Sequence, residues 1–183
     1  MGADVTILDR NVDTMRSLVV RFGQSVKTLY STSLTLEEEI LAADLVIGAV
    51  LLPGAEAPKL ITRDLVSRMK KGSVICDVAI DQGGCFETSM PTTHAEPTYV
   101  IDDVVHYCVA NMPGAVARTS AAALNNATLP FVLELADKGP VAAMQSNEHL
   151  RHGLNVYEGK ITNEQVGVAH GLAFAAPEEL LAA

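Results

Sequence analysis

Between residues 3 and 79 the chain alternates short apolar, β-branched runs with stretches of helical length, and this alternation restricts its fold more than any other feature. Residues 3–9, 26–30, 44–50 and 73–79 read as strands. Their side chains are apolar almost without interruption, as expected of strands covered by helices on both faces, and the connections are too long for hairpins. In between, Met15, Leu18, Val19 and Phe22 share a helical face that Gly23 ends. Thr35 and Glu38 have the spacing of a capping box for a short acidic helix reaching Ala43. Leu65, Val66 and Met69 mark the inward face of a helix that starts near Thr62 and stops at Gly72. Such βαβ repetition predicts an α/β fold with a doubly wound parallel sheet.

After residue 98 the pattern changes. Two apolar runs, 99–101 and 104–110, lead into Asn111-Met112-Pro113-Gly114. A long Ala-rich helix is predicted over 119–137, bent near Pro130 and stopped by Lys138-Gly139-Pro140. The tail reads as a helix to about His152, a β-like stretch over 155–161 and two short helices.

Composition narrows the function. With 13 Lys+Arg against 22 Asp+Glu the net charge is -9, which repels a phosphate backbone, so no nucleic-acid partner is expected. The longest apolar stretch, 45–52, is far below the ~20 residues that span a bilayer. Met1 is not followed by a basic and then apolar leader, so no membrane association and a cytoplasmic location are expected. Cys76, Cys85 and Cys108 form neither an even disulfide set nor a C-x-x-C pair. Cys76 and Cys108 lie in apolar runs and should be buried, whereas Cys85, following Gly83-Gly84, should be more exposed. His149 and His152 share a helix face at i, i+3, but without Cys or paired acids nearby no metal site is expected.

In doubly wound sheets, ligands lie at the carboxyl ends of the strands. Three such ends, 48–54, 78–84 and 109–114, are small or apolar and then turn through Gly or Pro, which suits a flat ring and a sugar against backbone. Only Asp81 and Asn111 bring polar side chains there, and each also fits an ordinary turn position. Asp9 ends a strand as the ribose-binding acid of a dinucleotide fold does, yet no G-x-G-x-x-G occurs in the chain, and Asp9 fits equally as a helix-capping acid.

The runs DLVIGAVLLPGAEAPKL (44–60), VAIDQGGCFE (78–87) and HYCVANMPGA (106–115), in that order, resemble bacterial alanine dehydrogenase, and the similarity extends over essentially all 183 residues. The related NAD(H)-binding component of proton-translocating transhydrogenase shares the Pro-Gly and Ala-Pro-Lys-Leu turn but lacks the Asp-Gln-Gly-Gly loop. The resemblance implies reversible, NAD-linked oxidative deamination of L-alanine to pyruvate and ammonia. It also implies Asp9 at the adenosine ribose, Ser31 near the adenine, and Val50 and Leu51 at the middle of the cofactor. Val78, Ala79, Ile80, Asp81, Val109, Ala110, Asn111 and Met112 are implied around the nicotinamide, with Asp81 as a catalytic carboxylate.

The same resemblance places the family's substrate-binding Lys, catalytic His and glycine-rich loop ahead of the matching region. His94, His106, His149, His152 and His170 match none of the catalytic positions. The chain therefore reads as the later half of such an enzyme. A Rossmann-like domain (1–118) without its first strand would be followed by a helical part of the substrate domain (119–183). In strand order 3-2-1-4-5-6 this leaves the strands of Asp9 and Ile47 with unpaired inner edges. A homo-oligomer, hexameric in the family, and the amino-terminal segment are the implied partners. The alternatives are a transhydrogenase component and a non-catalytic fragment that binds nucleotide or self-associates.

Overall fold

A computed structural model describes residues 2–50 and 57–181. The chain divides into two compact units, one of residues 1–50 and 58–110, the other of 51–57 and 111–183. The turn Asn111 to Pro113, expected in the first domain, thus groups with the second unit.

The first unit opens with β1 (Thr6–Asp9), α1 (Val12–Phe22) and β2 (Lys27–Tyr30), a βαβ element in which β1 and β2 run parallel, Thr6 opposite Lys27 and Asp9 opposite Tyr30. Asn11 caps α1 by accepting from the Asp13 and Thr14 amides, and Gly23, at φ 59°, ends it. The apolar face read from the sequence is present, but no α1 residue is buried, and Val19 and Phe22 are exposed. Helix α2 (Ser33–Ala42) is capped one turn earlier than expected, by Thr32. Thr35 is its N3 partner, with its amide held by Thr32 Oγ1 at 3.1 Å and its own hydroxyl serving the Thr32 amide at 2.9 Å. That reciprocal pair occupies the hydroxyl that a box with Glu38 would require.

A second sheet has the order β3-β4-β6-β5. Strands β3 (Leu45–Gly48), β4 (Val74–Asp77) and β6 (Val104–Tyr107) are parallel, and β5 (Thr98–Ile101) is antiparallel to β6. Helix α3 (Arg63–Ser67), capped by Thr62, packs Leu65 and Val66 into the core with Ile75, Phe86, Val104, Cys108 and Val109. The fourth strand is shorter than its apolar run. It stops at Asp77, whose carboxylate accepts from the Ala79 amide at 3.1 Å and bends residues 78–82 into a 3₁₀ turn, so Val78 and Ala79 lie on a loop. Among the described residues β1 pairs only with β2 and β3 only with β4, and Leu45 and Ile47 stay exposed.

His106, on the buried strand β6, is fully enclosed. It stacks on Tyr99 at 4.9 Å, shares a 2.8 Å hydrogen bond with Thr88 Oγ1 and a 3.0 Å contact with the Val104 carbonyl. Burial holds its pKa below the ordinary value of 6.5, against the Val104 carbonyl and the Asp102 and Asp77 charges, which favour the proton. The unfolded chain therefore takes up this proton more readily. The stability contributed by neutral His106 is complete above about pH 6.5 and is lost as pH falls below it. Thermal melts at pH 7.5 and 5.5 should show a drop that shrinks in His106→Gln. Equal drops in both proteins would remove His106 as the cause.

The first α-helix of the second unit is α4 (Ala117–Lys138), a single element that runs through Pro130 and buries none of its residues. The helix predicted to reach His152 is broken at Asn147 into α5 (Pro140–Ser146) and α6 (Glu148–His152). The Asn147 side chain caps α6 through the His149 amide and donates to Glu134 at 2.7 Å, fixing the break. The hairpin β7 (Val156–Tyr157) and β8 (Lys160–Ile161) then leads into α7 (Glu164–His170) and α8 (Pro177–Leu181). Among the described residues no helix is long and apolar enough to cross a membrane.

Candidate active site

The parallel pairing of β1 and β2 puts Asp9 and Ser31 side by side, with the Ser31 amide on the Asp9 carbonyl at 3.0 Å. One carboxylate oxygen of Asp9 accepts from the Asn11 amide at 2.8 Å, so the capping role is real. An ionised carboxylate has capacity for further donors on its other oxygen.

At the end of β3 only a glycine fits. A Cβ on Gly48 would lie 2.3 Å from Cys85 Sγ and 2.6 Å from the Phe86 ring. Val50, half-buried, follows, and its backbone reaches the Cys85 thiol. Leu51, the other residue expected at the middle of a cofactor, lies outside the described residues.

The end of β4 is the most constructed part of the unit. Asp77 is fully buried and accepts from the Cys85 amide at 2.9 Å and Ser89 Oγ at 2.5 Å besides the Ala79 amide. Gly83 and Gly84, both at positive φ, close the turn through bonds of 3.0 Å each to the Ile80 and Ala79 carbonyls. A Cβ on Gly84 would come within 2.5 Å of Asp77 Oδ2, so the loop packs directly on the buried carboxylate. Ala79 and Ile80 point into the core, while Val78 and Asp81 are exposed. The turn thus presents one apolar and one acidic side chain to solvent from an anchored backbone. Among the described residues no hydrogen bond or ion pair engages the Asp81 carboxylate.

Cys85, expected near the surface, is instead 1% exposed, because the turn folds it back onto β4. Burial first, and the Asp77 charge second, push its thiol up to about 12. It is a packing residue with no thiolate character at neutral pH. Cys76 is half-buried and Cys108 buried.

At the end of β6, Val109 is buried in a parallel bridge to Thr92, and the Ala110 amide reaches the Thr92 carbonyl at 3.1 Å. Asn111 adopts φ 59°, and Gly114 closes a turn onto its carbonyl at 2.9 Å, with Met112 opening a 3₁₀ segment to Val116. Asn111 and Met112 belong to the second unit. The first unit therefore brings together Asp9 with Ser31, and Val78 to Asp81 with the ends of β3 and β6. Asp77 escaped the sequence reading, although an acid closing an apolar strand and followed two residues on by a small residue has the signature of a turn cap. Among the described residues no group of three or more His, Cys, Asp or Glu could hold a metal ion.

The family described as "Alanine dehydrogenase/PNT, C-terminal domain" matches residues 1–164. An alanine dehydrogenase of Halomonas elongata is 60% identical over 181 residues, covering 99% of this chain and 49% of that protein. A solved L-alanine dehydrogenase superposes with a TM-score of 0.81 at 48% identity over 93% of this chain and 47% of its own. A transhydrogenase from Sinorhizobium meliloti superposes with a TM-score of 0.63 at 28% identity over 77% of this chain and 40% of its own. The chain spans about half the length of the curated relatives it matches.

Proposed function

The chain belongs to the alanine dehydrogenase/PNT C-terminal domain family, and from that premise we propose that it is the NAD-binding part of a cytoplasmic L-alanine dehydrogenase. The reaction is L-alanine + NAD⁺ + H₂O → pyruvate + NH₄⁺ + NADH + H⁺. One observation carries this reading beyond kinship. The exposed Asp81 carboxylate stands on an anchored turn at the carboxyl end of β4, between the parallel strands β3 and β6, where such sheets take their ligands.

The residues present fit a dinucleotide. Gly48 and Gly84 leave no room for a Cβ, which would meet Cys85 and Phe86 at the first and Asp77 and Ser89 at the second, so the backbone at the ends of β3 and β4 is fixed against the protein's own side chains. Asp9 and Ser31 are neighbours at the ends of β1 and β2. In this assignment Asp9 accepts from the ribose hydroxyls, Ser31 lies near the adenine, and Val50 lines the middle of the cofactor. Val78 to Asp81, Val109 and Ala110 surround the nicotinamide, which when bound supplies a carbon that accepts hydride from the amino acid. Asp81 orients water or ammonia and holds a proton beside the reacting carbon, where a fixed negative charge favours the cationic stages of deamination. The complete enzyme is a homo-oligomer, and α4, which buries nothing and exposes Leu124, Leu129, Val132 and Leu133, offers apolar surface for such assembly. The transhydrogenase reading is the weaker one, since the similarity is lower in both identity and TM-score.

Asp9 sets the cofactor choice, because a carboxylate there accepts from both ribose hydroxyls and repels a 2′-phosphate. With the chain joined to the amino-terminal half of a relative, Asp9→Ser should lower the NADH-over-NADPH preference in kcat/KM by about tenfold or more, the worth of a charge-assisted hydrogen bond. An unchanged preference would remove Asp9 from the ribose site.

A further inference from the structure

The loops that follow β3 and β4 are fastened to each other. The Leu60 and Ile61 amides donate to the Cys85 carbonyl at 2.9 and 3.3 Å, and the Glu87 amide donates to the Ile61 carbonyl at 2.9 Å. Ile61 pairs in parallel with Phe86, and the Arg63 amide reaches the Glu87 carboxylate at 2.8 Å. At the head of this ladder stands Lys59. Its ammonium donates to the Gly84 carbonyl at 2.9 Å and also to the Gly83 carbonyl.

Gly83 and Gly84 have φ of 89° and 77°, a pair of consecutive left-handed conformations that only glycine adopts freely. Their carbonyls converge on one point, and two converging dipoles of the same sign are unfavourable unless a cation lies between them. The ammonium supplies that cation, and among the described residues no carboxylate forms an ion pair with it. On the opposite flank Asp77 holds the Ala79 and Cys85 amides. Asp81 lies between the two clamps, acid-capped before it and cation-capped after it.

We propose that Lys59 is a positioning residue for Asp81: by clamping the Gly83 and Gly84 carbonyls against the Asp77-capped turn, it fixes the direction of the Asp81 carboxylate and acts on the chemistry only through it. This rests on the assignment of Asp81 as the catalytic carboxylate. Lys59 is itself exposed, so its bonds add little to global stability. Its influence is local, because displacing a reacting group by about 1 Å costs on the order of 10²-fold in rate.

The test compares Lys59→Met, Lys59→Arg and the double variant Lys59→Met/Asp81→Asn in the enzyme completed with a relative's amino-terminal half. Lys59→Met should lower kcat by about 10- to 100-fold with KM for NADH within about threefold and an unchanged melting temperature. Lys59→Arg, which keeps the charge and the donors, should recover most of the rate. In the Asp81→Asn background Lys59→Met should cost nothing further, since the two act as one unit. Hydrogen exchange of the 79–85 amides should quicken about tenfold in Lys59→Met while residues 104–109 keep their protection. Unchanged exchange, unchanged kcat, or a full additional loss in the double variant would each overturn the proposal. An inactive wild type would sink the reading of Asp81 and this inference with it, whereas an active wild type indifferent to Lys59→Met overturns this inference alone.

Discussion

Asp81→Asn is expected to lower kcat by about 10²-fold or more while NADH affinity stays within about threefold. The substitution is nearly isosteric, and the backbone that carries residue 81 is held by others: Asp77 on the Ala79 and Cys85 amides, Lys59 on the Gly83 and Gly84 carbonyls. The Asp81 side chain contributes no hydrogen bond to that scaffold among the described residues, so the amide leaves the turn intact. In the proposed assignment, what it removes is a negative charge and a proton acceptor at the reacting carbon, needed after the cofactor has bound. Steady-state turnover of pyruvate and ammonia beside a fluorescence titration with NADH separates the two quantities. A variant that turned over near the wild-type rate would reduce Asp81 to a turn residue.

The second large effect concerns the 183 residues tested by themselves, which are expected to show no measurable alanine–pyruvate interconversion and to bind NADH at least about 100-fold more weakly than the completed enzyme. A dinucleotide's pyrophosphate normally rests on the amides of a glycine-rich loop at a helix N-terminus, and these residues contain no G-x-G-x-x-G. Strands β1 and β3 each have a single strand neighbour among the described residues, and Leu45 and Ile47 are 53% and 60% exposed on β3. Open strand edges beside exposed apolar side chains favour pairing with another chain. Sedimentation should therefore show self-association of the chain alone, relieved when the amino-terminal half of a relative is supplied in trans. A monodisperse monomer that binds NADH tightly would contradict this.

The strand–helix alternation was legible because β-branched runs and capped amphipathic stretches carry their signal locally. Thr62 and Gly23 stand at the helix ends that their types suggest, whereas α3 stops at Ser67 with Arg68 as its cap, short of the expected Gly72. Boundaries set by side-chain bonds across several residues were harder to read. The end of β4 depends on Asp77 turning its carboxylate back onto the Ala79 amide, which an apolar profile extending to residue 79 conceals. The cap of α2 moved to Thr32 because Thr35 spends its hydroxyl on the Thr32 amide and the Tyr30 carbonyl. Asn147 broke a helix through two polar contacts that periodicity does not register.

The candidate site was legible by type more than by support. Asp9, Asp81 and Asn111 stood out as polar residues at strand ends, and β1 and β2 do bring Asp9 beside Ser31. Asp77 and Lys59 did not stand out, because each acts through backbone groups distant in sequence. Cys85 departs from its expected exposure for a related reason: two glycines before it signal an exposed loop, yet their left-handed conformations fold the thiol beneath the turn.

The most direct measurement is NADH oxidation in the presence of pyruvate and ammonia by the chain joined to the amino-terminal half of a relative, with alanine identified as the product. An active alanine dehydrogenase should consume NADH only when both substrates are present, forming one alanine per NADH. Folded, NADH-binding protein that leaves pyruvate and ammonia untouched, or that passes hydride only to a second nucleotide, would contradict the assignment.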